Sequence, residues 1–170
     1  MKKILSIIMV LSMLLALSAS AAEVGLTDFT TTDMEGNTVT EEIFADYDMT
    51  MVNVWATWCG YCIEEMPDLA KLKDMLPDNV NLITVCDDAD YEPELTRKIL
   101  EESGANFQTL KITEEMYTSL LAYVYSFPTT FFVDSKGVPV VQPIIGVPSL
   151  ENAADAYYNI IEQVLEIMEA

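Results

Sequence analysis

The chain has 170 residues, 28 acidic and 8 basic side chains, a net charge of −20 and no histidine. That balance makes nucleic acid a poor partner, and the lack of histidine excludes Ser-His-Asp triads, His-ligated metals and imidazole proton shuttles. Three cysteines, two of them separated by only two residues, do not make a disulfide framework, so thiol and carboxylate chemistry is what remains.

Lys2 and Lys3 precede an apolar run from Ile4 to Leu17, and Ala19-Ser20-Ala21 follows as a small-residue cleavage site. The run is shorter than the roughly 20 apolar residues of a membrane span, so residues 1–22 read as a secretory signal peptide and residues 23–170 as one domain. The protein is therefore expected outside the cytoplasm, periplasmic or extracytoplasmic, either secreted or tethered through an uncleaved signal. The acidic residues are spread over helix faces and loops and read as a solvated, self-repelling surface.

Phe29–Thr32 and Thr38–Thr40 flank the turn-rich Asp33-Met34-Glu35-Gly36-Asn37 and predict a short hairpin. Met49–Ala56 is apolar on both faces except for Asn53, the pattern of a strand buried inside a sheet. From Cys59 onward, Cys62, Glu65, Met66, Leu69, Leu72 and Leu76 recur at helical spacing, and Pro67 predicts a kink one turn after the cysteines. Val80–Cys86 reads as a second buried strand. Pro93 opens a helix that Gly104 closes. A further short helix is expected over Glu114–Tyr123, then a hairpin of Thr130–Asp134 and Val138–Gln142 around Ser135-Lys136-Gly137. Ser149 is expected to start the last helix, whose Tyr157, Ile160, Ile161, Val164, Leu165 and Met168 read as a packing face. Strands alternating with helices and ending in an antiparallel hairpin argue for an α/β domain with a central mixed sheet flanked by helices.

The segment Asn53-Val54-Trp55-Ala56-Thr57-Trp58-Cys59-Gly60-Tyr61-Cys62-Ile63-Glu64-Glu65-Met66-Pro67 resembles the TlpA/ResA branch of the thioredoxin-like superfamily. The resemblance extends from about Val24 to Ala170. It takes in the leading hairpin, a helical insert around Asp87–Tyr123, and Phe127-Pro128-Thr129-Thr130-Phe131, which resembles the family's cis-proline segment. It implies a thioredoxin-like fold and an extracytoplasmic thiol-disulfide oxidoreductase.

The chemistry can also be argued from the residues. A free cysteine is mostly protonated at neutral pH, yet only its thiolate attacks a disulfide. At a helix start the unpaired N–H groups and the helix dipole favour the anion, which assigns Cys59 as the attacking sulfur. Cys62, three residues on, lies on the same face within disulfide reach and is assigned as the resolving sulfur. Half of a zinc site and a structural bridge are the competing readings of the pair. The first lacks further ligands, and the second closes too small a loop to stabilise much. No metal and no cofactor are expected.

Glu65 falls on the inward face with Cys62, whereas Glu64 turns to solvent, so a buried Glu65 could relay the Cys62 proton, its alternative being a surface carboxylate. The resemblance places the family's functional glutamate here. It also implies that the Phe127-Pro128-Thr129 segment lies against the cysteines and binds substrate peptide through backbone at Phe127, with Trp58 and Tyr61 as an apolar rim. Trp55 reads as core and Cys86 as inert packing at a strand end.

The expected function is reduction of disulfides in exported proteins, with the protein a monomer; the resemblance implies apocytochrome c among the targets and electrons from a membrane thiol donor of the CcdA/DsbD type. A disulfide oxidase or isomerase is the alternative, since Gly60-Tyr61 is not the Gly-Pro of thioredoxin; a binding module without catalysis is another. The peroxiredoxin pattern P-x-x-x-T-x-x-C is absent, with Val52 and Ala56 at those offsets, and so are the C-x-x-x-C and histidine of Sco-type copper carriers.

Overall fold

The computed structural model describes residues 25–169. The signal-peptide reading of residues 1–22 falls outside them. Among the described residues no helix is long and apolar enough to cross a membrane.

The hairpin comes first: β1 (Thr30–Thr32) pairs antiparallel with β2 (Thr38–Thr40), and a 3-10 turn follows at Glu41–Phe44. β3 (Met49–Trp55) leads to α1 (Gly60–Met75), β4 (Val80–Cys86), α2 (Pro93–Ser103) and β5 (Gln108–Lys111). α3 (Glu114–Thr118) and a 3-10 turn at Leu120–Tyr123 lead to β6 (Thr129–Asp134), β7 (Ile144–Ile145) and α4 (Ala153–Glu169). The five-stranded sheet runs β5-β4-β3-β6-β7. β3 is parallel to β4, and β4 to β5, while β6 is antiparallel to both β3 and β7.

β3 and β4 are buried along their whole length, as strands covered on both faces must be. Their side chains alternate between two apolar layers. Met49, Met51, Trp55, Leu82 and Phe132 face α1 and α4, packing on Met66, Leu69, Leu72, Ile161 and Val164. Val52, Val54, Ile83, Val85, Phe131 and Val133 face the other way, onto Leu26, Phe29, Phe44, Met116 and Leu121. Polar Asn53 and Thr130 therefore point into the α1/α4 layer, at adjacent places on paired strands.

α1 runs from Gly60 to Met75 with Pro67 inside it. The structure departs from the sequence-based expectation in four places. The helix expected over Glu114–Tyr123 is two pieces, because the backbone leaves helical angles at Ser119. The expected return strand Val138–Gln142 is not formed: Pro139 and Pro143 supply no ladder N–H, a single bridge joins Val133 to Pro139, and pairing resumes only at Ile144 and Ile145. α4 starts at Ala153 rather than near Ser149, where Asp68 Oδ2 on α1 accepts from the Ala153 N–H (3.0 Å) and ties the two helices together. β5 was not foreseen. It is a short edge strand whose only apolar residue, Leu110, gives no period to read.

Asp33 locks the hairpin to this edge. Its carboxylate, 2 % exposed, accepts from the N–H groups of Glu35 and Asn37, from Asn37 Nδ2 (3.0 Å) and from Gln108 Nε2 (2.8 Å) on β5. Burial acts to raise its pKa, but these bonds together outweigh burial and hold it below the ordinary aspartate value. Because the folded value is depressed, the stabilisation is present above the ordinary value and lost as pH falls through the folded one. Asp33→Ala should cost about 2 kcal/mol at neutral pH and remove that acid-side component, as read by urea unfolding at several pH values.

Candidate active site

Three elements converge at the C-terminal end of β3. The loop Ala56–Trp58 carries the chain from β3 to α1, whose N-cap is Cys59. Cys59 Sγ accepts from the Cys62 N–H (3.2 Å), so the sulfur takes the place a capping oxygen would fill among unpaired helix N–H groups. Cys59 and Cys62 are joined in a disulfide with Cα atoms 5.3 Å apart. Cys59 keeps 7 % exposure and Cys62 none, which leaves Cys59 the sulfur an incoming group can reach.

The loop is braced from β4. Asp88 Oδ1 accepts from the Thr57 N–H (2.9 Å), the Thr57 hydroxyl bonds to Asp88 Oδ2, and the Asp87 N–H donates to Trp55 O (2.8 Å). Nothing in the residue pattern singled out Asp88 for this role, since the pairing spans distant positions that only the sheet brings together.

The third element is the segment before β6. The Phe127–Pro128 peptide bond is cis. The Phe127 ring meets Trp58 edge to face with centroids 5.5 Å apart, so this segment sits beside the cysteine loop. Trp58 is 70 % and Tyr61 59 % exposed, an aromatic surface flanking the disulfide. Pro128 is buried. Thr129 is buried too, with its hydroxyl donated to Ser126 O (2.7 Å) and its backbone paired with Val54 and Ile145. Its side chain therefore braces the turn and offers nothing at the surface for a bound peptide.

Glu65 lies one turn after Cys62, and both are buried, whereas Glu64 is exposed. Its Oε1 accepts from Asn53 Nδ2 (2.9 Å) and its Oε2 from the Tyr157 hydroxyl (3.2 Å). Burial raises its pKa to about 7, against the pull of the Asn53 and Tyr157 hydrogen bonds and with a small push from the Asp68 charge. A cleft of about 20 Å³, lined by Tyr61, Glu64, Asp68 and Leu150 among others, opens beside this carboxyl. Tyr157 read from the sequence as a packing residue. Its ring is indeed buried, but its hydroxyl reaches Glu65, a pairing between distant helices for which the sequence carries no signal.

Cys86 ends β4 fully buried beside Asp88 and Thr96, and burial pushes its thiol up to about 12. Among the described residues no cluster of three or more Cys, Asp or Glu side chains is placed to hold a metal ion.

A family model, described as AhpC/TSA, matches residues 24–141. The chain belongs to the AhpC/TSA family. Its curated relatives include proteins named for thiol:disulfide interchange and one named thioredoxin-like. The thiol:disulfide interchange protein DsbE of Haemophilus influenzae is 36% identical over 106 residues, 61% of this chain and 55% of that protein. The thioredoxin-like protein YneN of Bacillus subtilis is 30% identical over 89 residues, 52% of this chain and 51% of that protein. The chain thus spans about half the length of the curated relatives it matches. Among solved structures, a thiol:disulfide interchange protein from Chlorobium tepidum superposes with TM-score 0.66 at 18% identity, covering 83% of this chain and 98% of that one. The thioredoxin domain of a thiol-disulfide oxidoreductase from Bacteroides vulgatus gives 0.65 at 23% identity, covering 84% and 96%. The fold is thioredoxin-like.

Two outcomes are expected from this geometry. In the reduced native protein, iodoacetamide should label Cys59 and leave Cys62 and Cys86 unmodified at pH 8, as read by peptide mass spectrometry. The second concerns stability. Because the folded Glu65 pKa lies above its ordinary 4.5, the native state holds more proton than the unfolded one between 4.5 and about 7. Stability should therefore fall as pH rises across that window and level off above it, by an amount on the order of 3 kcal/mol. Glu65→Gln should abolish this slope in denaturant unfolding of the oxidised protein.

Proposed function

We propose that the chain is an exported thiol-disulfide oxidoreductase that reduces disulfides in proteins outside the cytoplasm. The observation that carries this reading is the Cys59–Cys62 disulfide at a helix N-terminus, beside a cis-proline segment and one turn from a buried carboxyl. The names of its relatives support the reading, and the basic-then-apolar pattern of residues 1–22 supports export.

In the proposed cycle the reduced Cys59 thiolate attacks one sulfur of a target disulfide. A mixed disulfide forms and the first target thiolate leaves, taking a proton from water. The Cys62 thiol then gives its proton to Glu65, and the resulting thiolate attacks Cys59 Sγ. The second target thiolate departs and is protonated in turn, leaving the target reduced by two electrons and the Cys59/Cys62 pair oxidised. Glu65 returns its proton to solvent by the adjoining cleft. Trp58, Tyr61 and Phe127 form the surface on which an extended target segment lies, held mainly through backbone at Phe127. Apocytochrome c fits this substrate class. Repeated turnover requires a two-electron reductant, since the pair ends each cycle oxidised, and a membrane thiol donor of the CcdA/DsbD type is the source that fits an exported protein.

The Gly60-Tyr61 pair between the cysteines favours a second reading, a disulfide oxidase or isomerase, because it differs from the Gly-Pro of thioredoxin. Equilibration with glutathione buffers separates the two. A Cys59/Cys62 potential near or below about −250 mV supports the reductase, and one above about −180 mV overturns it in favour of an oxidase or isomerase. Cys62→Ser should accumulate mixed disulfides on Cys59; a variant that traps no protein would move the reading to a non-catalytic binding module.

A further inference from the structure

With Glu65 ionised, the donors around it can be counted, and the count fixes their direction. Asn53 has two amide N–H bonds: one goes to Glu65 Oε1 (2.9 Å) and the other to Thr130 Oγ1 (3.1 Å). The single hydroxyl proton of Tyr157 goes to Glu65 Oε2 (3.2 Å). With that proton committed, the 3.0 Å contact between Thr130 and Tyr157 is donated by Thr130. A closed ring results, in which Asn53 donates to Thr130, Thr130 to Tyr157, and Tyr157 and Asn53 both to the carboxylate. Every proton in the ring is directed toward Glu65, and Asn53 Oδ1 is left without a donor.

Such a ring suits an acceptor and not a donor. A protonated Glu65 would bring an O–H into a chamber whose near atoms already present their own hydrogens to it, displacing at least one of them. From this geometry we propose that Tyr157, oriented by Thr130, is a positioning residue that holds Glu65 ready as a proton acceptor. The inference rests on the reading of Glu65 as the base for Cys62. It gives the C-terminal helix a part in the chemistry, although α4 contributes no atom to the disulfide.

The titratable groups near the carboxyl are few. On α1 it is Asp68, with Glu64 and Tyr61 on the rim of the cleft, while Cys62 is held in the disulfide of the oxidised protein. On α4 it is Tyr157, whose own pKa is raised by burial and by the Glu65 charge, so it keeps its hydroxyl proton for Glu65 near neutral pH while its oxygen accepts from Thr130. β3 and β6 present Asn53 and Thr130, which do not titrate.

The test is a carboxyl ¹³C NMR titration of the oxidised protein, with the Glu65 signal identified by its loss in E65Q. Tyr157→Phe keeps the buried ring and removes one donor, and the Glu65 midpoint should rise by about one pH unit. Thr130→Val should move it in the same direction by less, and Thr130→Ser should restore it. An unchanged midpoint in both Tyr157→Phe and Thr130→Val overturns the proposal and leaves Tyr157 a packing residue; where Tyr157→Phe does not fold, Thr130→Val alone decides.

The underlying reading is tested separately, by the pH dependence with which the reduced protein reduces oxidised glutathione. If E65Q keeps the wild-type profile, Glu65 is not the base. A shifted NMR midpoint in Tyr157→Phe would then still establish the hydrogen-bond ring.

Discussion

A carboxyl group placed between a sheet and two helices has to be compensated where it stands, because an uncompensated charge there costs several kcal/mol. Glu65 is in that position: 2 % exposed, above Asn53 and Thr130 on the sheet and against Tyr157 on α4. Asn53 on β3 and Thr130 on β6 are accounted for by it, as is the hydroxyl on a helix face that is otherwise hydrocarbon. Desolvation and hydrogen bonding act in opposite directions on this group. Desolvation wins, which leaves it titrating near neutrality one turn from Cys62.

The two sulfurs are placed by a different constraint. Cys59 caps α1, so the same unpaired N–H groups that a serine or aspartate would satisfy are turned toward sulfur. Cys62 is carried one turn inward by helical geometry alone. The stiffness of the loop before Cys59 comes from Asp88, which holds Thr57 by backbone and side chain together. The cis-proline segment approaches from the far side because β6 is antiparallel to β3, which brings the start of β6 to the end of β3 where the cysteines lie. Parallel β4 brings its own C-terminal end, with Asp87 and Asp88, to that same place. One mixed sheet thus delivers three chain segments to one corner.

The difference between Cys86 and the Cys59/Cys62 pair follows from burial and helix position, not from residue type. Cys86 has carboxylate and hydroxyl neighbours but no helix N-terminus, and burial holds its thiol protonated. The same physics separates Glu64 from Glu65, adjacent in sequence and opposite in exposure.

The sequence by itself determined whatever is periodic or local: the buried strands at Met49 and Val80, the helix that begins at Cys59, the Gly104 stop, and the pairing of two cysteines one turn apart. Helical spacing sufficed to put Glu65 inward with Cys62. The strand β5, the proline-broken return to β7, the Asp88 brace and the Tyr157 hydroxyl on Glu65 were decided only by the tertiary structure. Each depends on residues far apart in the chain that meet across the sheet or between helices; Tyr157 and Glu65, for instance, are separated by 92 positions. A tyrosine on an apolar helix face has the same period whether its hydroxyl is idle or bonded, because hydrophobic periodicity records which side of an element is buried and not what the buried side touches.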